Sequence, residues 1–186
     1  MNEESVVMYD GFYPIFTTVP TTPATEEFKF MCVQNHIGAT VMDLYHHYYC
    51  DEKPLLDIIT EFLSSETYRQ MYNFGEGYWR ETFAVTRDKF LMESNYPVKK
   101  IPTEAYGGNI MDRPKLGAVI LASDCLYAYS NYVLTPLKEC ARLFVKYGIF
   151  SYILEAYEKL SEVSMDKIIT KVIARKIKEG VIFLEV

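Results

Sequence analysis

Concentrated positive charge is missing from this sequence. Its 19 Lys and Arg residues are outnumbered by 25 Asp and Glu residues, which gives a formal net charge of -6 at pH 7. Proteins that bind nucleic acid usually present a basic stripe that displaces counterions from phosphates. The densest basic cluster here is ARKIKEG near the C-terminus, and basic residues in the last turn of a helix explain it. The composition therefore argues against nucleic acid as a partner.

Long hydrophobic runs are also missing. The first residues, MNEESVVMYDGFY, are acidic where a signal peptide is basic, and no long apolar stretch follows them. The longest apolar stretch near the middle is LGAVILAS, which is far too short to cross a bilayer core of about 30 Å. We therefore expect no membrane association and a cytoplasmic location, where thiols stay reduced.

Cysteine is scarce, and no CxxC pair occurs. Widely spaced cysteines in a reducing compartment seldom form disulfides, and a free cysteine packs as a small apolar residue. We therefore interpret the cysteines as buried apolar residues and expect no disulfide. They are Cys32, Cys50, Cys125 and Cys140.

Potential metal ligands are equally few. Within DLYHHYYCDE, Asp43 and His47 lie one helical turn apart, and so do His46 and Cys50. Such pairs can chelate a metal ion from one helix face, but two ligands are too few for a structural zinc site. The third histidine, His36, lies well upstream of this segment. The sequence therefore predicts no metal centre.

Motifs for nucleotide binding and nucleophilic catalysis are absent from the sequence. NFGEGYW carries Gly75 and Gly77, but it is neither GxGxxG nor a phosphate loop with a Lys-Ser or Lys-Thr pair. GxSxG does not occur. A distant pair such as Cys125 with His36 stays open, although nothing local supports an activated thiol. We therefore assign no catalytic residue and expect no cofactor.

Apolar and aromatic residues, in contrast, are abundant. Hydrophobic residues make up 49% of the chain and aromatic residues 15%, which is enough for a substantial core. The apolar positions recur mostly at helical spacing. The sequence predicts an all-α fold, a compact multi-helix bundle with an irregular N-terminal arm. The predicted parts are the arm (1–25), an N-terminal helical part (26–94), a linker with prolines and Gly-Gly (95–115), and a C-terminal helical part (116–186).

Several helix ends in the N-terminal part are marked by local signals. Thr25 is the expected N-cap of the first helix, with acidic residues in the first turn. Gly38 is expected to bend or split this helix. Pro54 suits the first turn of the next helix. A further short helix is expected to end at Gly75.

The segment LTPLKECARLFVKYGIFSYILEAYEKL carries the clearest helix signals of the chain. Thr135 is the expected N-cap, with Pro136 at the first helical position. Gly148 is expected to end this helix in a left-handed conformation. A second amphipathic helix should then run to Leu160. The pattern predicts a helical hairpin.

Tyrosine is unusually frequent, with 16 residues in the chain. Neighbouring tyrosines on one helix point about 100° apart, so some of them must reach the surface or an interface. Tyrosine is enriched at protein interfaces because its ring buries well and its hydroxyl tolerates water. We therefore predict a partner-binding surface that uses tyrosines of the C-terminal part. The candidates are Tyr127, Tyr129, Tyr132, Tyr147 and Tyr157.

The C-terminal part also resembles a known family of small all-helical bacterial domains of unknown function. The genes of this family often lie beside a predicted toxin related to ADP-ribosyltransferases. The resemblance covers residues 118–180 and includes a closing helix from Ser164 to Gly180. The matching residues are Cys125, Thr135, Lys138-Glu139, Leu143-Phe144, Lys146-Tyr147-Gly148, Tyr152-Ile153 and Tyr157-Glu158-x-Leu160.

The resemblance implies a role in binding a protein partner, such as a toxin encoded nearby, and it brings no catalytic residues. The leading hypothesis is a non-enzymatic interaction module of the antitoxin or immunity type. A small enzyme is the alternative, with a pocket between the two helical parts and His46, His47, Cys50 or Cys125 as candidates. A helical adaptor of another family, a homo-oligomer and the role of the apolar tail VIFLEV also stay open.

Overall fold

The computed structural model describes most of the two helical parts and a small portion of the arm. The described residues are 7–9, 13–15, 25–49, 53–73, 77, 80–96 and 113–180. Most of the predicted linker lies outside them, as do Cys50, Gly75 and the tail VIFLEV. Their predictions therefore have no structural counterpart here.

The arm contains a short antiparallel hairpin, where the sequence predicted only irregular structure. Strand β1 (Val7–Tyr9) pairs with β2 (Tyr13–Ile15), and Val7 lies opposite Ile15. The strands carry valine, tyrosine and isoleucine, which favour extended structure. The sequence between the strands includes Asp-Gly, a strong hairpin signal that the irregular assignment overlooked.

Helices and the turns that join them form the rest of the described chain, which confirms the predicted all-α bundle. Two of them contain a stretch of wider π-helix, which we label π1 and π2. The helices are α1 (Glu26–Asp43) continuing into π1 (Leu44–Tyr48), α2 (Leu55–Leu63), α3 (Glu66–Met71), α4 (Phe83–Glu93), α5 (Arg113–Val133), α6 (Leu137–Lys146), α7 (Ile149–Glu155), α8 (Tyr157–Leu160), and α9 (Met165–Lys167) continuing through π2 (Ile168–Ile173) into α10 (Ala174–Glu179). None of the helices in the described ranges combines the length and the apolar character that a membrane span requires.

Helix α1 begins as predicted but does not bend or split at Gly38. The Thr25 hydroxyl accepts a hydrogen bond from the Phe28 amide at 3.2 Å, which confirms the N-cap. Gly38 is buried inside an uninterrupted helix. A Cβ at this position would lie 2.6 Å from Leu116 Cδ1 and 3.0 Å from Ile120 Cγ1. Gly38 is therefore a packing residue that lets α5 approach the backbone of α1.

Helix α5 is the centre of the bundle. It packs against α1 on one side and against α6, α7, α8 and π2 on others. A single buried cluster joins its apolar residues to those of both helical parts, including Phe62, Phe90, Phe144 and Phe150. Near the start of α5, Gly117 leaves the space in which the Tyr157 hydroxyl sits. Residues before and after the predicted linker therefore share one core.

The predicted N-cap at Thr135 is wrong, because Thr135 takes part in ending α5. Its amide donates to Ser130 O at 3.1 Å, and its hydroxyl donates to Val133 O at 3.3 Å. Pro136 stands at the cap position instead, and α6 starts at Leu137. The Thr135 residue is already committed to the preceding helix and cannot also cap the next one.

The later helix ends follow the prediction in part. Gly148 adopts the left-handed conformation with φ 60°, as expected, and so does Gly180 with φ 62°. The helix predicted to run to Leu160 is broken at Ala156, whose φ of -103° and ψ of 12° separate α7 from α8. Ser164 precedes α9, but its side chain makes no capping hydrogen bond there.

The last helix is fastened by a buried lysine. Lys176 of α10 is only 6% exposed, and its Nζ lies 3.4 Å from Gly148 O and 5.0 Å from the centre of the Tyr152 ring. Burial lowers the pKa of this amine, and the carboxylate of Glu155 acts in the opposite direction. The ammonium group thus contacts the face of an aromatic ring, which favours a cation, and a backbone carbonyl that also accepts the Tyr152 amide at the start of α7.

Candidate interaction surface

The turn between α5 and α6 holds the most unusual backbone conformation of the C-terminal part. Leu134 has φ 54°, a left-handed conformation that glycine usually supplies at this position after a helix. Two hydrogen bonds fix the turn around it, from the Thr135 amide to Ser130 O at 3.1 Å and from Ser130 Oγ to Thr135 O at 2.6 Å. A left-handed conformation costs an L-residue about 1–2 kcal/mol. Leu134 therefore occupies a strained position within a well-bonded turn.

The same turn is exposed and apolar. Leu134 is 91% exposed and Tyr132 is 57% exposed. The Tyr132 ring lies 6.5 Å from that of Tyr129, which in turn contacts Phe144 with a ring separation of 5.6 Å. The exposed ring of Tyr132 is thus supported from below by the core. We call the pair Tyr132 and Leu134 the α5–α6 corner.

The structure places the other predicted tyrosines in less accessible positions. Tyr129 is only 5% exposed and belongs to the core. Tyr127 is half-buried, and its ring stacks on Tyr72 at 4.3 Å and lies 5.4 Å from Phe30. Both residues contribute chiefly to packing. Among the predicted tyrosines on α5, Tyr132 offers its ring to a partner most freely.

Tyr147 and Tyr157 are both half-buried and lie away from the α5–α6 corner along the chain. The Lys146 Nζ lies 5.2 Å from the centre of the Tyr147 ring. The Tyr157 hydroxyl is packed over the backbone of Gly117. The structure therefore does not gather the five predicted tyrosines into one continuous surface.

A polar junction between α1, α3 and α5 escaped the sequence reasoning. Gln34 of α1 donates to Asp124 Oδ1 of α5 at 2.6 Å. Next to Asp124, the hydroxyl and carbonyl of Ser123 each lie 3.2 Å from Tyr68 Oη, and Tyr72 Oη is 3.0 Å from Ser123 Oγ. We call these residues the Asp124 junction. Its members are separated by long stretches of chain, so no local motif marks them.

Burial controls the titration of this junction. It raises the pKa of Asp124 from 3.8 to about 6, and the hydrogen bond from Gln34 offsets part of that effect. Burial also raises the pKa of both Tyr68 and Tyr72 well above the usual value. No cation among the described residues forms an ion pair with Asp124. The carboxylate is thus held by a neutral amide alone.

A small pocket lies where the two helical parts meet. Its lining comes from the α2–α3 turn, α3, Glu93 at the end of α4, and Leu137 and Lys138 at the start of α6. Glu93 also accepts hydrogen bonds from the Glu66 amide at 2.7 Å and the Thr67 amide at 2.8 Å, so it caps α3. Among the described residues, the lining contains none of the histidines or cysteines that the enzyme alternative named.

The histidine candidates of that alternative lie elsewhere. His46 and His47 are half-buried neighbours in π1, with ring centres 6.5 Å apart. Asp43, one turn before His47, is fully buried, and its Oδ2 accepts from Arg87 Nη1 at 2.7 Å. Within the described ranges, no group of three or more His, Cys, Asp or Glu side chains could hold a metal ion.

The described cysteines are buried thiols, as their spacing predicted. Cys32, Cys125 and Cys140 are all free and buried. Burial raises the pKa of Cys32 to about 11 and that of Cys125 further still. A thiol held in its protonated form is a poor nucleophile. These three residues therefore act as apolar packing groups.

Of the features described above, the α5–α6 corner exposes the most apolar side chain to solvent, with Leu134 91% and Tyr132 57% exposed. Comparison of the chain with protein-family models, with curated proteins and with solved structures found no match.

Proposed function

We propose that this chain is a non-enzymatic protein-interaction module, and that it binds a protein partner through the α5–α6 corner. The observation that carries the proposal is Leu134, a leucine in a left-handed conformation that is 91% exposed. Neither property helps the isolated chain to fold. A residue that disfavours the free protein in two ways is expected to act in a complex.

The energetics of the corner favour an anchor role. Glycine at position 134 would relieve the backbone strain and remove an apolar side chain from water. Burying a leucine in a partner's pocket gains about 1.5–3 kcal/mol, which exceeds the strain. Tyr132 supplies a supported aromatic ring beside it, and tyrosine is common among residues that dominate binding energy. The corner is convex, so the partner would supply an apolar pocket.

The resemblance over residues 118–180 supports a narrower proposal about the partner. It implies a bacterial protein that neutralises a toxin encoded beside it. Neutralisation by occlusion requires buried area and shape complementarity rather than a reacting group. The net charge of -6 would steer association toward a basic target.

The test is co-purification of the chain with the product of the adjacent gene, followed by titration calorimetry of the pair. Leu134→Gly is expected to weaken binding by about tenfold or more, which corresponds to the loss of a buried leucine. The same variant should unfold at slightly higher urea, with a gain of up to about 1 kcal/mol. A loss of binding together with a gain in stability cannot be attributed to unfolding.

Met92→Ala is the matched control, because Met92 is a large apolar residue that is 68% exposed on α4. Its removal should leave the affinity within about twofold of the original. The proposal for the corner fails if Leu134→Gly and Met92→Ala bind as tightly as the original chain. The proposal for the neighbour-encoded toxin fails if the original chain does not bind that protein.

A further inference from the structure

The contact between α1 and α4 is a polar seam inside an apolar core. Thr40 and Asp43 of α1 face Phe83 and Arg87 of α4. The Thr40 hydroxyl donates to Phe83 O at 3.4 Å, and Arg87 Nη1 donates to Asp43 Oδ2 at 2.7 Å. These two contacts are one helical turn apart on each helix, so they enclose a short section of the seam.

Thr86 lies in that enclosed section. It is three residues after Phe83, so the two residues share the face of α4 that meets α1. Its side chain is fully buried, as are those of Thr40 and Asp43. The Thr86 hydroxyl therefore points into protein and has no access to bulk solvent.

Two polar atoms of the seam lack a hydrogen-bond partner among the described residues. One is Asp43 Oδ1, an acceptor, and the other is Thr86 Oγ1, which can both donate and accept. Buried polar atoms in folded proteins are almost always satisfied, and ordered water supplies the partner where the protein does not. The other carboxylate oxygen of Asp43 is already bound to Arg87, which leaves Oδ1 to be satisfied separately.

We propose that the seam binds a single internal water molecule between Asp43 and Thr86. The water donates one hydrogen bond to Asp43 Oδ1 and accepts one from Thr86 Oγ1. The site needs no cation, because Arg87 already neutralises the Asp43 carboxylate. The water completes a chain of polar contacts that sets the position of α4 along α1.

The decisive measurement is a crystal structure of the full chain at a resolution that shows ordered water. A water within hydrogen-bonding distance of both Asp43 Oδ1 and Thr86 Oγ1 is expected. A direct bond from Thr86 Oγ1 to Asp43 or to a backbone carbonyl, with no water between, would overturn the proposal.

Magnetic relaxation dispersion in solution supplies an independent readout, since it counts long-lived internal waters. Thr86→Val has nearly the same shape without the hydroxyl, and it should show one long-lived water fewer than the original chain. Thr86→Ser keeps the hydroxyl and should retain the water. Equal counts in Thr86→Val and the original chain would contradict the proposal. If Thr86→Val does not fold, the crystal structure of the original chain decides.

Discussion

Asp124→Asn is expected to stabilise the protein at neutral pH and to remove much of its pH dependence. Asp124 is a largely buried carboxylate whose Oδ1 accepts from Gln34 at 2.6 Å, and burial raises its pKa from 3.8 to about 6. Asparagine keeps an acceptor oxygen for Gln34 and removes the charge. The substitution therefore separates the electrostatic penalty from the hydrogen bond.

The sign of the effect follows from proton binding. Between pH 3.8 and about 6, the folded protein holds a proton on Asp124 that the unfolded chain has already released. The contribution of Asp124 to the unfolding free energy therefore falls as the pH rises through this window, and it stays constant above about pH 6. The difference of about two pKa units corresponds to roughly 3 kcal/mol, which is the expected upper limit of the gain in Asp124→Asn at pH 7.

Urea unfolding followed by far-ultraviolet circular dichroism at pH 4, 5, 6 and 7 provides the assay. The gap in unfolding free energy between Asp124→Asn and the original chain should widen from pH 4 to pH 6 and then stay constant. Asp166→Asn, at an exposed position in α9, is the control and should show no such trend. A gap that is the same at pH 4 and pH 7, or a loss of stability at pH 7, would refute the reasoning.

Three further substitutions test the packing around this core. Arg87→Met should cost about 3–5 kcal/mol in urea unfolding because it leaves Asp43 buried and unpaired, and adding Asp43→Leu should recover most of the loss. Gly117→Ala should cost about 1–3 kcal/mol by colliding with the Tyr157 hydroxyl, and Tyr157→Phe should partly rescue it in a double-mutant cycle. Glu93→Ala should lower the unfolding free energy by about 1 kcal/mol because two amides at the start of α3 lose their acceptor. Asp57→Ala, in the first turn of α2, is the control and measures the loss expected from helix-dipole charge alone.

Local signals predicted the parts of the fold that short-range physics decides. The N-cap at Thr25, the left-handed Gly148 and the helix end at Gly180 each depend on a few adjacent residues, and all three were predicted correctly. The helical spacing of apolar residues gave the all-α class for the same reason. These features need no knowledge of what packs against the helix.

Tertiary packing decided the features that the sequence reasoning missed. Glycine often interrupts a helix, yet Gly38 lies within α1 and allows α5 to pack closely against the α1 backbone. Thr135 has the ideal residue type for a cap, but the end of α5 uses it first. The π-helical stretches have no local sequence signature, so spacing alone could not reveal them.

The candidate surface was predicted only in part. Tyr132 was among the predicted tyrosines, whereas Leu134 was not, because its unusual property is a backbone angle. A signal was nevertheless present, since Pro136 disfavours helix in the residue before it and no glycine lies nearby to end α5. Some residue other than glycine had to take the left-handed position. The resemblance to the toxin-associated family stays a prediction.

The π-helical stretch Ile168–Ile173 makes the last helix depend on residue number as well as residue identity. A π-turn accommodates one residue more than an α-turn. The side chains of α10 therefore point in different directions around the helix axis than they would after a regular α-helix. Deleting one residue from this stretch would let a regular α-helix form and would rotate Lys176 by about 100°. Its ammonium group would then leave the Gly148 carbonyl, although every side chain of α10 would be unchanged. The attachment of α10 to the bundle thus depends on the number of residues in the π-helical stretch that precedes it.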